Sequence, residues 1–216
     1  FMTKDIKIIC TIGPSTFQKK KLNQLKKLKV SLYRINLSHT KIADLPKRIK
    51  MLKNLKINNI CIDTEGSQIR TTSLQKKIFK VNQIVFFNKK KKNKGNKIGL
   101  YPQFDFQKLK TKDIVFIDFE NLKLKIIKVK KEEIKAIAIN EGYVRSNKGV
   151  HFKRNIKMKG VTKKDIEAIS IAKKLNIKNF ALSFANNKND VLNFRNLIGN
   201  KSNLISKIET GQAIKN

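Results

Sequence analysis

In the first 64 residues, three apolar runs of strand length alternate with two amphipathic stretches of helical spacing, and this alternation limits the fold more than any other feature. The runs cover residues 6–12, 30–36 and 59–64. Between the first two, residues 19–29 set Leu22, Leu25 and Leu28 at helical spacing; between the second and third, residues 42–55 put Ile42, Leu45, Ile49, Leu52 and Leu55 on one face. Strands separated by amphipathic helices argue for a parallel sheet, because each crossover must pack an apolar stripe back onto that sheet.

The rhythm then breaks. From about residue 71 to 154 the chain shows short alternating segments at 74–80, 84–87, 114–118, 122–129 and 134–139, with no convincing helix among them. Residues 88–97 are nearly all Lys, Asn and Gly, which predicts a solvated, mobile loop. After Val161 the earlier rhythm returns. Thr162-Lys163-Lys164-Asp165 reads as a capping box opening a helix to about residue 175. A strand at 178–184, a helix at 189–198 and a strand at 204–209 follow. The expected organisation is an α/β body at 1–70 and 155–216, interrupted by an all-β insertion at 71–154.

Polar residues gather where the body strands end. The first run leads into Thr11, Gly13, Pro14 and Ser15; the second holds Arg34 and Asn36 and leads into Ser38 and His39. The third ends in Asp63 and Thr64, with Gly66 and Arg70 beyond, the fourth in Ser183, and the fifth in Lys207 and Glu209. In α/β barrels the C-terminal edge of the strands is where active sites are built. Arg34, Arg70 and Lys207 supply positive charge for phosphate oxygens, and Asp63 and Glu209 are hard oxygen donors suited to Mg²⁺. A metal with cations around a phosphate is the equipment of phosphoryl transfer. Each residue also has a plainer reading: Asp63-Thr64 as a strand-ending turn, Lys207 and Glu209 as one solvated face, His39 and His151 as surface turn residues.

Charge and cysteine content narrow the class further. The formal net charge of +35 favours anionic partners such as nucleic acid, an anionic membrane or a polyphosphate. The cations are overwhelmingly Lys and accompany abundant Asn, Ile and Phe, the set an AT-rich coding sequence produces together. Arg is scarce and Trp absent, which argues against a nucleic-acid reader. No run approaches the roughly 18 apolar residues of a membrane span. The first residues lack the apolar run of a signal peptide, and Cys10 and Cys61 lie inside strand-like runs, so a cytoplasmic protein with reduced, buried thiols is expected.

Several blocks, taken in order, resemble the signature segments of the pyruvate kinase family. They are Cys10-Thr11-Ile12-Gly13-Pro14-Ser15, Arg34-Ile35-Asn36-Leu37-Ser38-His39, Asp63-Thr64-Glu65-Gly66-Ser67-Gln68-Ile69-Arg70-Thr71 and Ile205-Ser206-Lys207-Ile208-Glu209. Lys148-Gly149-Val150, Val161-Thr162-Lys163-Lys164-Asp165 and Ala181-Leu182-Ser183-Phe184 extend the resemblance over essentially the whole chain. It implies a TIM-type (β/α)₈ barrel, incomplete here, with an inserted all-β lid. It also implies glycolytic transfer of phosphate from phosphoenolpyruvate to ADP, giving pyruvate and ATP. Arg34 and Lys207 would be catalytic. Arg34, His39, Arg70, Lys148 and Pro14 would line the substrate and nucleotide side. Glu209 would hold Mg²⁺ or Mn²⁺, and Asn36, Ser38, Asp63 and Thr64 would hold K⁺. The full-length form would be a homo-oligomer, with neither nucleic acid nor membrane as partner.

The match has gaps. Glu65 stands where the family usually has Lys, and Ser67-Gln68 where it has Pro-Glu, the acidic position that correlates with K⁺ dependence. Thr40 replaces a usual Gly, and Ala185-Asn186 stand where an Arg is usual. About five of the eight barrel strands can be counted, so a fragment, or a body completed by another chain, is the expectation. Two alternatives to the enzyme are a non-catalytic phosphate- or nucleotide-binding relative and a basic nucleic-acid-binding module.

Overall fold

The computed structural model describes residues 6–66, 68–89, 93–154, 156 and 160–216. The chain divides into two compact units, one formed by Phe1–Ser67 with Lys159–Asn216 and the other by Gln68–Met158.

The first unit is a layer of helices on a parallel sheet. Strand β1 (Ile9–Thr11) leads through helix α1 (Lys19–Lys27) to β2 (Leu32–Asn36). A short 3₁₀ turn at Leu37–His39 and helix α2 (Leu45–Asn54) lead on to β3 (Ile60–Asp63). The helical stretch expected at 42–55 is split: Ile42–Asp44 forms a 3₁₀ turn, and α2 starts at Leu45 with Pro46 in its first turn, where a missing N–H costs nothing. Leu45, Ile49 and Leu52 of α2 are fully buried, the expected face.

Among the described residues the second unit holds nine strands: β4 (Arg70–Thr71), β5 (Lys77–Phe79), β6 (Ile84–Asn88), β7 (Lys97–Tyr101), β8 (Ile114–Ile117), β9 (Leu122–Val129), β10 (Glu133–Ala138), β11 (Gly142–Val144) and β12 (Val150–Phe152). Seven pair in the order β12-β8-β9-β10-β6-β7-β4, and a bridge between Arg70 and Gly149 brings the ends of that order together, leaving a nearly closed mixed barrel. Alternation fills it: Leu122, Leu124 and Ile126 of β9 point into the core, while Lys123 and Lys125 face outward.

Two expectations for this unit change. Asn88 is a buried end of β6 and Lys97 opens β7, so both ends of the expected 88–97 loop are strand; its residues 90–92 lie outside the described residues. Asn93 is fixed too, accepting from the Gly99 N–H at 2.7 Å and donating to the Ser73 carbonyl at 2.6 Å. His151 sits within β12 rather than in a turn.

The chain returns to the first unit through helix α3 (Lys163–Lys174), β13 (Asn179–Leu182), helix α4 (Lys188–Ile198), β14 (Asn203–Ser206) and a last turn of helix, α5 (Gly211–Lys215). The five body strands are parallel, in the order β1-β2-β3-β13-β14. All four residues of β3, at the centre, are buried. The last strand ends at Ser206, earlier than expected: the Lys207 N–H still donates to the Leu182 carbonyl at 2.9 Å, and beyond it the bonds pass to the loop after β13. The Ala185 N–H donates to the Lys207 carbonyl at 3.2 Å, and the Phe184 N–H to Glu209 Oε2 at 3.1 Å. Both cysteines are free thiols; Cys61 is buried, but Cys10 is only partly so.

Candidate active site

Parallel register sets the ends of β2 and β3 side by side, with Asn36 opposite Asp63 and Arg34 opposite Cys61. Asp63 is completely buried, and two cations meet its carboxylate. Arg34 Nε lies 3.0 Å from Oδ2, an ion-pairing distance, although its N–H does not point along a hydrogen-bonding line. Lys207 Nζ lies 3.0 Å from Oδ1 and 3.2 Å from Oδ2. Its other neighbour is Glu209 Oε1 at 3.5 Å. A buried carboxylate is tolerated only when paired, and here the two pairing groups keep about a third and a quarter of their side-chain surface exposed. One fixed acid therefore orients two cations that retain access to solvent.

Hydrogen bonds stiffen this arrangement. Ser183 donates its hydroxyl to the Thr64 carbonyl at 2.5 Å and its N–H to Thr64 Oγ1 at 2.9 Å. Asn36 Oδ1 accepts from the Ser38 N–H at 2.8 Å, which caps the 3₁₀ turn, and Thr40 donates to the Asn36 carbonyl at 2.9 Å. The Cys61 thiol lies beside this cluster. Burial, reinforced by the Asp63 charge, pushes it up to about 12.

Arg34, Asp63, Lys207 and Glu209 are thus drawn together, with Asn36 at the end of β2, Ser38 in the 3₁₀ turn after it and Thr64 directly after β3. His39 is exposed on the 3₁₀ turn, and Pro14 is exposed in the turn after β1. Arg70 and Lys148 belong to the second unit. There the Thr71 N–H donates to the Lys148 carbonyl at 2.9 Å, Arg70 Nη1 donates to the Asn147 carbonyl, and the Lys148 ammonium pairs with Asp118 at 2.9 Å. Gln68 lies 3.1 Å from His151 through their side-chain nitrogens; Ser67 lies outside the described residues.

The donor set is uneven toward metals. Among the described residues no three His, Cys, Asp or Glu side chains gather into a metal-holding group. Glu209 offers one partly exposed carboxylate, which suits Mg²⁺ only where phosphate oxygens and water complete the shell. Of the oxygens expected to hold K⁺, Asn36 Oδ1 and the Thr64 carbonyl each accept a protein donor, and two cations face Asp63.

One feature eluded sequence reasoning. Lys164 Nζ pairs with Glu65 Oε2 at 2.9 Å, and Asp165 accepts from the backbone N–H groups of Glu65 and Gly66 at 2.8 and 3.2 Å. The sequence marked Asp165 only as a helix cap.

A parallel sheet with helical crossovers, an inserted β-barrel and a strand-end cluster of cations around one acid fit an incomplete α/β barrel. The family described as pyruvate kinase, barrel domain, matches residues 3–216, and the chain belongs to that family, a family of transferases. It is 27% identical over 221 residues to a pyruvate kinase of Encephalitozoon cuniculi (strain GB-M1), covering 97% of this chain and 50% of that protein. Against a pyruvate kinase of Buchnera aphidicola subsp. Schizaphis graminum (strain Sg) the identity is 30% over 229 residues, covering 96% and 46%. Against one of Staphylococcus aureus (strain USA300) it is 28% over 224 residues, covering 97% and 38%. The chain therefore spans half or less of these relatives' length. No described helix is long and apolar enough to cross a membrane.

Proposed function

We propose that this chain supplies the phosphoryl-binding part of a pyruvate kinase-type phosphotransferase acting between phosphoenolpyruvate and ADP. The observation that carries the reading is the convergence of Arg34 and Lys207 on buried Asp63, with Glu209 alongside. Asp63 holds one edge of the Arg34 guanidinium, leaving the other nitrogens for phosphate oxygens. Lys207 offers a point charge where negative charge grows as the bond from phosphorus to the enol oxygen breaks. The phosphoryl group passes to the terminal phosphate oxygen of ADP, and the enolate left behind takes a proton at carbon to become pyruvate. Mg²⁺, bound through Glu209 and phosphate oxygens, would neutralise charge on the phosphates. Arg70 and Lys148, in the second unit, are proposed from the resemblance alone as cationic groups for the nucleotide phosphates. The resemblance adds K⁺ at Asn36, Ser38, Asp63 and Thr64, with Gln68 at the acidic position that correlates with K⁺ dependence.

The test is a coupled pyruvate assay comparing the protein with Lys207→Ala and Arg34→Ala. Removing one preorganised charge should lower kcat by about 100-fold or more. Equal rates in parent and variants would remove the assignment. Binding of Mg²⁺–ADP by calorimetry without turnover would instead support a binding module, the reading favoured by Glu65 and Gln68.

A further inference from the structure

Lys164 and Asp165 are adjacent in the first turn of α3, yet their side chains hold different things. The Asp165 carboxylate accepts four hydrogen bonds: from the backbone N–H groups of Glu65, Gly66 and Thr162, and from the Thr162 hydroxyl. It is fully buried, and burial raises its pKa above the ordinary carboxylate value, an effect those hydrogen bonds oppose. It therefore fixes the backbone of the loop that follows Asp63 and Thr64.

Lys164 reaches further. Its ammonium pairs with Glu65 on that same loop and donates to the carbonyl of Leu37, the residue directly after Asn36. Leu37 is fully buried and Glu65 nearly so. One charged group thus lies between the loop that follows Arg34 and Asn36 and the loop that follows Asp63. Arg34 and Asp63 lie on neighbouring strands, and the loops carrying Leu37 and Glu65 continue directly from the ends of those strands. The Glu65 loop has little freedom elsewhere: at Gly66, with φ +64°, an added Cβ would come within 2.9 Å of the Phe184 ring.

We infer that Lys164 is a positioning residue: by joining Glu65 to Leu37 it sets the spacing of the two loops, and through it the contact between Arg34 and Asp63. The latch follows from geometry alone. Its consequence for ligand binding rests on the phosphoryl-binding reading above.

The experiment uses ¹⁵N-labelled protein, with the Arg34 Nε–H and Gly66 N–H resonances followed by NMR and phosphoenolpyruvate binding by calorimetry. Lys164→Met and Glu65→Gln should both move the Arg34 resonance, and each should weaken binding about tenfold, in keeping with the sensitivity of bound geometry to small displacements. Lys164→Arg keeps the charge and should restore the resonance, with affinity within about threefold of the parent. A lower melting temperature with the Arg34 resonance unmoved would show a purely structural ion pair and overturn the inference. Should Lys164→Met fail to fold, Glu65→Gln decides the point, since it breaks the pair and leaves the Lys164 bond to Leu37. Should the parent bind no phosphoenolpyruvate, the functional reading falls by itself, and the resonances still decide the latch.

Discussion

Cys61 lies on β3 two residues before Asp63, beneath the charged cluster. Burial chiefly, then the Asp63 charge, raises its thiol to about 12, while Arg34 and Lys207 pull more weakly the other way. Alkylation requires the thiolate, and at pH 8 a thiol titrating near 12 is ionised in about one molecule in ten thousand. In the native protein iodoacetamide should therefore label Cys10, which is partly exposed, and leave Cys61 untouched until denaturant is added. Mass spectrometry at pH 8 checks this; two adducts before unfolding would show that β3 opens readily. At this scale the sequence was partly legible. Arg34, Asp63, Lys207 and Glu209 were visible as polar residues ending apolar runs. The bond from Lys164 to Glu65 was not, because it spans 99 residues and nothing local announces a partner so distant.

At the N-terminus of α3, the capping box reads directly from Thr162 and Asp165, since a hydroxyl and an acid three residues apart satisfy each other's backbone donors. The structure gives the same acid a second task, holding Glu65 and Gly66. The two residues should then differ sharply when removed. Thr162→Ala loses a cap and should destabilise by about 1 kcal/mol. Asp165→Ala also strands the buried amides of Glu65 and Gly66, and should destabilise by about 3 kcal/mol or more. Urea unfolding of both variants checks the order; equal losses would mean Asp165 acts only as a cap. Other elements were hidden for physical reasons. Strands β4, β11 and β12 are two or three residues long, too short to show a period. Strand β7 opens inside a Lys- and Asn-rich run that resembles solvent-facing chain. It is ordered there by Asn93, and by Lys77, which donates to the carbonyls of Asn93, Gly95 and Lys97.

For the molecule as a whole, the sequence set out a parallel α/β body with an all-β insertion, and the structure keeps a separate apolar core in each unit. The charge belongs to neither unit in particular: residues 68–158 hold 24 Lys and Arg against 7 Asp and Glu, and the remainder 26 against 8. Such even loading fits a compositional origin better than one specialised basic surface. It also has a thermodynamic consequence. With 15 acids for 50 cations, a net 35 positive charges stay uncompensated even if every acid is ionised, so folding gathers like charge into a small volume. Salt weakens the exposed ion pairs, but these contribute about 1 kcal/mol or less each. Screening of the excess charge should win. Raising NaCl from about 0.05 to 0.5 M shortens the Debye length to about 4 Å, below most spacings between surface charges, and should raise the melting temperature by several degrees before levelling off. That plateau separates screening from the effect of excluded salts, which keeps growing with concentration. A melting temperature that fell with salt would mean that the exposed ion pairs contribute more to stability than the excess positive charge takes away.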